Sequence, residues 1–398
     1  MCVLTDGSDF KMKKSACCGL LPVGMTDVLP PFVDAEAEAV EKATGVFQSC
    51  GYQRVAPPLL EFEETLLSEK YNDLSTQTFR VTDAVSGKIM GLRADMTPQI
   101  SRIAATRLQN EPRPLRLAYA GHVVRMFPTQ LDPARQILQV GAELIGADCA
   151  KADAEIILLA AETLEKLGVP SFVFDLNLPT LFPALCAAYG IDRDDREKMS
   201  ACLNQKDFAA ALAVLESTNG KARAAKSVFV SLFQAFGDCD RVLEILRPLP
   251  LPDEAAAERA RLAEVAALLK TEKQNLSLTA DVLENRGFEY HCGVGFSIFS
   301  KQSGHELGRG GRYIAGIDGA LSEPAAGVTL FMADILAVLE KKETKTRVYV
   351  PVDVSFSQTA DLRAKGYITV CGVRPGGREE ARRLQCSCIY TGGRVQPL

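Results

Sequence analysis

The stretch HVVRMFPTQLDPARQILQVGAELIG, residues 122–146, constrains the fold of this chain more than any other segment. Two alternating runs flank a proline-containing loop, a pattern typical of an antiparallel hairpin. Residues two apart in a strand share a face. One face of the second run carries its polar and charged residues: Arg135, Ile137, Gln139, Gly141 and Glu143. The other face is apolar: Leu138, Val140, Ala142 and Leu144. A solvated sheet face and a site for a charged ligand both fit this pattern.

Composition and length indicate a soluble globular protein. The chain has 398 residues, of which 47% are hydrophobic and 24% charged, which predicts two or three domains with a sizeable core. No apolar run reaches the roughly 18 residues that a bilayer helix needs, and the N-terminus lacks the apolar segment of a secretory signal. We therefore expect a cytoplasmic protein, without membrane association, that begins with a flexible tail over residues 1–20.

Cysteine usage and charge narrow the class of protein further. The 12 cysteines are scattered without a C-x-x-C pair, and there are only three histidines, which favours reduced thiols and no metal site. The net charge of −5 is unusual for a dedicated nucleic-acid binder, although a local basic patch is compatible with it. No cofactor motif stands out, so we expect none.

Hydrophobic spacing predicts the order of the elements. A helix is expected from about residue 34, and a short strand follows in QRVAPPLLEF. Next comes a strand–turn–strand–helix unit, in which Thr97-Pro98 opens the helix. The hairpin follows this unit, and a helix is expected over 151–168. Residues 21–340 form the predicted core, within which 178–275 read as an alanine-rich helical insert. Residues 346–398 alternate short strands and helices and predict a small C-terminal α/β segment.

Three other segments carry polar groups at predicted strand or turn positions. LRADMT offers Asp95 and Thr97, NRGFEYH offers Arg286, Tyr290 and His291, and GRGGRY reads as a glycine-rich turn with two arginines at positions 309 and 312. Each segment alone is a weak signal, because arginines are usually surface charges and a Gly-Gly pair is usually only a turn.

Taken in order, the segments are far more specific. GMTDVLP, LRADMT, YAGHVVRMFPTQLDPARQILQVGAELIG, NRGFEYH, GRGGRY and AAGVTLF resemble the catalytic core of class II histidyl-tRNA synthetases over roughly residues 22–340. The resemblance implies an α+β fold with an antiparallel sheet flanked by helices. It also implies that GMTDVLP and YQRVAPPLLEF build a homodimer interface, for which ordinary core packing is the alternative.

The resemblance further implies a histidine-binding set: Asp95, Thr97, Arg125, Gln139, Glu143, Arg286, Tyr290 and His291. In this family Asp95, Thr97 and Gln139 match the residues that hold the α-ammonium group. A zwitterion with a titratable ring needs anionic, cationic and neutral hydrogen-bonding partners together, and hydrogen bonds to charged groups are the stronger kind.

The remaining members of the set match the rest of a histidine molecule. Glu143 and Tyr290 resemble the imidazole contacts, Arg286 resembles the arginine that faces the carboxylate, and Arg125 resembles the motif 2 arginine of class II enzymes. The resemblance therefore predicts that the amino-acid pocket is kept.

The nucleotide half of the pattern is altered. Phe127 replaces an acidic residue expected near adenine, Asp132 and Pro133 replace a glycine and an arginine of the motif 2 loop, and Ala333 and Asp334 replace a glutamate and an arginine. An anion in place of a phosphate-facing cation reverses the sign of the contact, which is worth about 4 kcal/mol at about 4 Å and an effective dielectric near 20. Adenylate formation is therefore not expected, and no residue is assigned a catalytic role.

A core of this kind without activation chemistry resembles the regulatory subunit of ATP phosphoribosyltransferase in histidine biosynthesis. The resemblance implies that the chain is not an enzyme by itself and that its partner is a short-form catalytic subunit. It also implies histidine as the effector. The expected assembly is a homodimer within a hetero-oligomer, which the family suggests is a hetero-octamer. In some members histidine sits at or near the subunit boundary instead. The C-terminal segment is too short for an anticodon-binding domain, so no tRNA partner is expected. A divergent histidyl-tRNA synthetase and a scaffold that has lost its ligand are the alternatives.

Overall fold

The chain divides into two compact units in a computed structural model that describes residues 20–67, 69–128, 133–218, 220–284, 290–317, 322–340 and 345–398. The first unit spans Met1–Leu339 and the second Glu340–Leu398. The predicted tail over 1–20 lies, except for Leu20, outside the described residues. No helix among the described residues is long and apolar enough to cross a membrane.

A large mixed sheet organises the first unit. In the part of the chain that the structure describes, nine strands follow the order β1-β5-β6-β12-β11-β10-β7-β9-β8. The strands of this sheet are β1 (Gln53–Arg54), β5 (Leu115–Val124), β6 (Gln136–Ile145), β7 (Phe172–Asn177), β8 (Phe236–Asp238), β9 (Leu278–Asp281), β10 (His291–Ser300), β11 (Glu306–Ala315) and β12 (Glu323–Phe331). Its centre, from β5 to β7, is antiparallel, as the sequence predicts.

Helices pack on the apolar face of this sheet. They are α1 (Phe32–Ser49), α4 (Ala150–Leu167), α5 (Leu181–Tyr189), α6 (Arg193–Asn204), α7 (Phe208–Ser217), α8 (Gly220–Ala224), α9 (Lys226–Phe233), α10 (Cys239–Leu246), α11 (Asp253–Glu272) and α12 (Met332–Val338). One continuous core joins them to the sheet and includes Phe47, Ile157, Leu164, Val140 and Leu144. The helices of the predicted insert share this core, and strand β8 lies among them. The prediction of helices alone was wrong at β8, because three residues are too few to show alternation.

A second, smaller sheet pairs β2 (Leu60–Phe62), β4 (Ile89–Leu92) and β3 (Phe79–Thr82), with β4 in the centre. Short helices accompany it: α2 (Glu63–Leu66), the 3₁₀ helix Glu69–Gln77 and α3 (Thr97–Thr106). Buried Arg93 fixes this sheet to β5, since its guanidinium donates to the carbonyl oxygens of His122 at 2.7 Å and of Pro57 at 3.1 Å. Proline at the start of α3 confirms the predicted helix opening.

The second unit is a small α/β fold. Its sheet has the order β14-β13-β15-β16, formed by β13 (Arg347–Val350), β14 (Ile368–Cys371), β15 (Cys388–Thr391) and β16 (Arg394–Pro397). Its helices are the 3₁₀ helix Ser357–Thr359, α13 (Ala360–Ala364) and α14 (Arg378–Arg383). Strands β14 and β15 both run parallel to β13, and β16 runs antiparallel to β15.

The hairpin of β5 and β6 has the two faces that alternation predicts. Val140, Ala142 and Leu144 join the core beneath the helices, whereas Ile137 joins a separate cluster on the other face, together with Tyr119 and other residues. Gln139 and Glu143 lie on that second face and are each 1% exposed. The polar face of the hairpin is therefore buried, which removes the solvated sheet face as an explanation.

GRGGRY is not a turn. All six residues, 308–313, lie inside β11, which pairs with β10 on one side and β12 on the other. The prediction was wrong because glycine and arginine rank low as strand formers, while the contacts of a central strand override local preference. Arg309 and Arg312 consequently face opposite sides of the sheet.

Candidate functional site

A cavity of about 340 Å³ lies on the polar face of the large sheet. Predicted site residues lining it are Asp95, Thr97, Arg125, Gln139, Glu143, Tyr290 and His291. Arg286, the eighth predicted residue, lies outside the described residues. Segments far apart in the chain therefore converge on one space, which is large enough for an amino acid.

A row of glycines forms the floor of the cavity beside Glu143. The register places Glu143 of β6 next to Gly327 of β12, then Gly311 of β11 and Gly295 of β10. A Cβ atom on Gly327 would collide with the Glu143 carboxyl group, and one on Gly311 would lie 2.7 Å from the Gly295 Cα. The missing side chains thus leave room for the Glu143 carboxyl group over Gly327 and for the close approach of β10 to Gly311.

The carboxyl group of Glu143 is the most enclosed charged group of the site. The Thr97 hydroxyl donates to its Oε1 at 2.9 Å, and the Tyr313 hydroxyl donates to its Oε2 at 2.9 Å. The Tyr119 hydroxyl is a longer donor, 3.4 Å from Oε1. Burial raises the pKa of Glu143 to about 8, and these hydrogen bonds offset that rise only in part. Glu143 is therefore largely protonated at pH 7, and a cation or an N–H donor placed beside it would favour the carboxylate.

Asp95 and Gln139 are oriented by the backbone at the start of α3. The Thr97 amide donates to Asp95 Oδ1 at 2.9 Å, and the Met96 amide donates to Gln139 Oε1 at 3.3 Å. The buried Nε2 of Gln139 has no hydrogen-bond partner among the described residues. A buried donor without a partner costs about 1–3 kcal/mol, so an acceptor supplied by a ligand would be stabilised here.

Aromatic rings form one wall of the cavity. Tyr290 stacks on His291 at a centroid distance of 4.5 Å and meets Tyr71 and Tyr313 edge-on at 5.5 and 6.0 Å. Burial lowers the pKa of His291 to about 3, and the charge of Arg309 acts in the same direction. Burial also raises the pKa of Tyr290 and of Tyr313 well above the ordinary range. This wall is therefore uncharged at neutral pH.

We call the deep part of the site, lined by Thr97, Gln139, Glu143 and Tyr313, the inner cavity. The rim is a second group, made of the lining residues Arg309 and Phe331 together with Glu306, which binds Arg309, and the pair His305 and Asp334, of which Asp334 follows Phe331 by three residues. Glu306, His305 and Asp334 do not line the cavity. On the rim, Glu306 accepts two hydrogen bonds from Arg309, at 2.9 and 2.7 Å. Asp334 lies 3.3 Å from His305 Nδ1. The Arg309 cation and the Asp334 anion each face an oppositely charged or titratable neighbour.

Arg125 differs from the other arginine of the site. It lines the cavity, and its guanidinium makes no ion pair within the ranges that the structure describes. Phe127, two residues later, is 55% exposed and is not part of the cavity lining, and Asp132 lies outside the described residues.

Sequence reasoning missed several residues that complete the site. Tyr119 and Thr329 share a hydrogen bond of 2.8 Å, and Tyr313 binds Glu143 directly. Tyr313 could have been found from the sequence. If GRGGRY is read as a strand, alternation puts Arg309, Gly311 and Tyr313 on one face of it. Arg312 belongs to the opposite face, where its guanidinium lies 2.6 Å from Asp153 Oδ1 of α4.

Comparison with known proteins identifies the family. A family model described as histidyl-tRNA synthetase matches residues 24–335. The ATP phosphoribosyltransferase regulatory subunit of Paramagnetospirillum magneticum is 47% identical over 382 residues, which cover 96% of this chain and 98% of that protein. The chain belongs to the family of ATP phosphoribosyltransferase regulatory subunits.

Solved structures confirm the class II synthetase-like fold for this family member. A Bacillus halodurans structure titled ATP phosphoribosyltransferase regulatory subunit/histidyl-tRNA synthetase aligns with a TM-score of 0.79 at 23% identity, covering 96% of this chain and 98% of that one. A chain of the Thermotoga maritima ATP phosphoribosyl transferase (HisG:HisZ) complex aligns with a TM-score of 0.56 at 18% identity, covering 75% and 97%. At these identities the likeness concerns the fold alone. The predicted resemblance to a synthetase-like regulatory subunit is confirmed by the sequence relatives.

Proposed function

We propose that this chain is a regulatory subunit without catalytic activity of its own, which activates a short-form ATP phosphoribosyltransferase catalytic subunit and transmits feedback inhibition by histidine. Regulatory-subunit names among close relatives support the role. The observation that carries the histidine assignment is the buried Glu143 carboxyl group facing an open cavity, with the partnerless amide nitrogen of Gln139 nearby.

The inner cavity offers complementary groups for a histidine zwitterion. Asp95 supplies an anionic oxygen for the α-ammonium group, and the Gln139 side chain and the Thr97 hydroxyl lie at the same end of α3. Glu143 accepts a ring N–H, which moves its equilibrium toward the carboxylate. Tyr290 packs beside the ring, and the sequence resemblance assigns Arg286 to the ligand carboxylate.

Feedback requires that histidine bind the inhibited assembly more tightly than the active one. A ligand shifts an equilibrium only by its difference in affinity for the two states, and allosteric couplings are commonly about 1–3 kcal/mol, or about 5- to 150-fold. Residues of β11 and β12 line the cavity, so occupancy can alter how these strands and their neighbours pack. We propose that the effector binds the regulatory chain and that the chemistry belongs to its partner, in the cytoplasm.

A homodimer within the hetero-oligomer fits the surface of the N-terminal region. Val23, Leu29 and Phe32 are 83%, 65% and 62% exposed, and Leu59, which directly precedes β2, is 53% exposed. Large exposed apolar side chains that form one patch mark interaction surfaces in soluble proteins, and we propose that these residues do so in the dimer. Sedimentation of the chain alone tests the dimer, and native mass spectrometry of the mixture gives the stoichiometry.

The deciding experiment mixes the chain with a short-form catalytic subunit and measures phosphoribosyl-ATP formation with and without histidine. We expect activation on mixing and inhibition by histidine. A Glu143→Gln chain should activate equally but should no longer transmit inhibition. Inhibition that survives in the Glu143→Gln complex would locate the effector site elsewhere, such as the subunit boundary, and failure to activate would reject the regulatory role.

Two alternatives predict different results. A divergent synthetase would catalyse histidine-dependent exchange between ATP and pyrophosphate by itself. A scaffold that has lost its ligand would activate the partner yet show no heat of binding with free histidine in calorimetry. Pairing of Asp334 with His305 at the rim argues against the first, and the preserved hydrogen bonds of Glu143 argue against the second.

A further inference from the structure

The C-terminal unit has the topology that creates a ligand crevice in open α/β sheets. From β13 the chain passes through α13 to β14 on one side, then through α14 to β15 on the other side of β13. Because parallel crossovers are right-handed, the two helices cover opposite faces of the sheet. The connections after β13 and β14 therefore diverge, and ligands in such folds bind between strand ends at this point.

The loop that follows β14 has the composition of an anion-binding loop. It reads GVRPGG over residues 372–377 and leads directly into α14. A Cβ atom on Gly372 would lie 2.5 Å from the Tyr349 hydroxyl oxygen, and one on Gly376 would lie 2.7 Å from it. The loop therefore passes closely over the end of β13, and only glycine permits that approach.

The Tyr349 hydroxyl lies beneath this loop without a partner. The residue is 0% exposed, and its oxygen makes no hydrogen bond within the described residues. Buried hydroxyl groups are nearly always hydrogen-bonded, and an orphan in a native fold calls for an explanation. An acceptor that enters between the loop and β13 would satisfy it.

The C-terminal unit carries an excess of positive charge. Residues 345–398 contain nine lysines and arginines against four aspartates and glutamates, although the whole chain has a net charge of −5. Arg374 and Arg378 flank the glycines and make no ion pair within the described part of the unit. The Glu380 carboxylate, whose charge acts on Tyr349, accepts two hydrogen bonds from Arg383, at 2.7 and 2.6 Å.

We propose that the crevice between the ends of β13 and β14 binds the phosphate groups of a small ligand, with Arg374 and Arg378 as its cations and the Tyr349 hydroxyl as its buried donor. Arginine forks match phosphate oxygens, and consecutive loop amides add further donors. This site is separate in sequence from the histidine cavity and is independent of the proposed regulatory function.

Calorimetry of the full-length chain at low salt tests the site, with pyrophosphate, ADP and adenosine as probes. All measurements use a chain that carries Arg125→Ala, so that phosphate bound by Arg125 in the histidine cavity does not contribute. We expect saturable binding of pyrophosphate and ADP, and none of adenosine. ADP binding more tightly than pyrophosphate would identify a nucleotide as the ligand, and equal affinity would identify the diphosphate alone. Adenosine binding as tightly as ADP, or no pyrophosphate binding, would overturn the proposal.

Tyr349→Phe is the most informative variant. The hydroxyl makes no hydrogen bond to a described residue, so its removal should not destabilise the folded protein. Its thermal midpoint should stay equal or rise, while pyrophosphate affinity falls roughly tenfold. Arg374→Ala with Arg378→Ala should reduce affinity by more than tenfold. Arg382→Ala, at the other end of α14, is the matched charge control and should bind as the parent does. Unchanged binding in both Tyr349→Phe and the double variant rejects the site.

Discussion

The inner cavity and the rim differ in how their charged side chains are paired. In the inner cavity Glu143 is buried among hydroxyl donors and forms no ion pair with a described residue, and this burial raises its pKa. On the rim Arg309 is bound by Glu306, and Asp334 adjoins His305. The contrast supports our proposal that recognition of a small amino acid is kept while the charges that a nucleotide needs are neutralised or reversed.

Glu143→Gln should have the largest effect on the inner cavity. The substitution keeps the shape but removes the carboxylate that accepts a ring N–H, and hydrogen bonds to charged groups contribute about 1.5–3 kcal/mol. Histidine affinity measured by calorimetry should fall by about 100-fold. Glu306→Gln on the rim is the matched control, for which we expect a change below about threefold. An equal fall in histidine affinity in the two variants would contradict the proposed difference between the inner cavity and the rim.

The pH dependence of stability isolates Glu143 without a ligand. Its pKa is raised from 4.5 in the unfolded chain to about 8 in the folded protein, so its stabilising contribution is complete below pH 4.5 and is lost as pH rises toward 8. Each pH unit in this window costs about 1.4 kcal/mol at most. Urea midpoints should show Glu143→Gln close to the parent at pH 5 and more stable at pH 8. A constant difference between the two proteins would contradict the raised pKa.

Two matched tyrosine substitutions test which hydroxyl matters in the inner cavity. Tyr313→Phe removes a 2.9 Å hydrogen bond to Glu143, whereas Tyr119→Phe removes one of 3.4 Å and a 2.8 Å bond to Thr329. Histidine affinity should fall about tenfold in the first and about twofold in the second. The reverse order would show that the carboxylate is positioned from the Tyr119 side.

Asp334→Arg should produce the smallest change in histidine affinity, because the substitution concerns only the rim. A reversed charge at this partly exposed position is screened, so it should raise ATP affinity by roughly fivefold at low salt and less at high salt. Histidine affinity should stay within about twofold. ATP titration followed by fluorescence or calorimetry measures the change. An ATP affinity that does not respond would mean that the rim excludes nucleotide by shape rather than by charge.

Alternation along β6 was sufficient to predict that Gln139 and Glu143 share a face, because side-chain direction in a strand is set locally by the backbone. The segments LRADMT and NRGFEYH could be recognised as companions, and Asp95, Thr97, Tyr290 and His291 do line the same cavity. Local pattern failed at GRGGRY, where pairing with β10 and β12 makes a strand from poor strand formers.

By itself the sequence determined the family, the order of the elements and the polar identity of the hairpin face, since these depend on residue type and short-range spacing. The tertiary structure decided the burial of that face, the alignment of Glu143 with Gly327 and Gly311, and the assembly of Thr97, Tyr119 and Tyr313 around one carboxyl group. Register between distant strands sets these contacts. Burial, which raises the pKa of Glu143, exists only once those strands have paired.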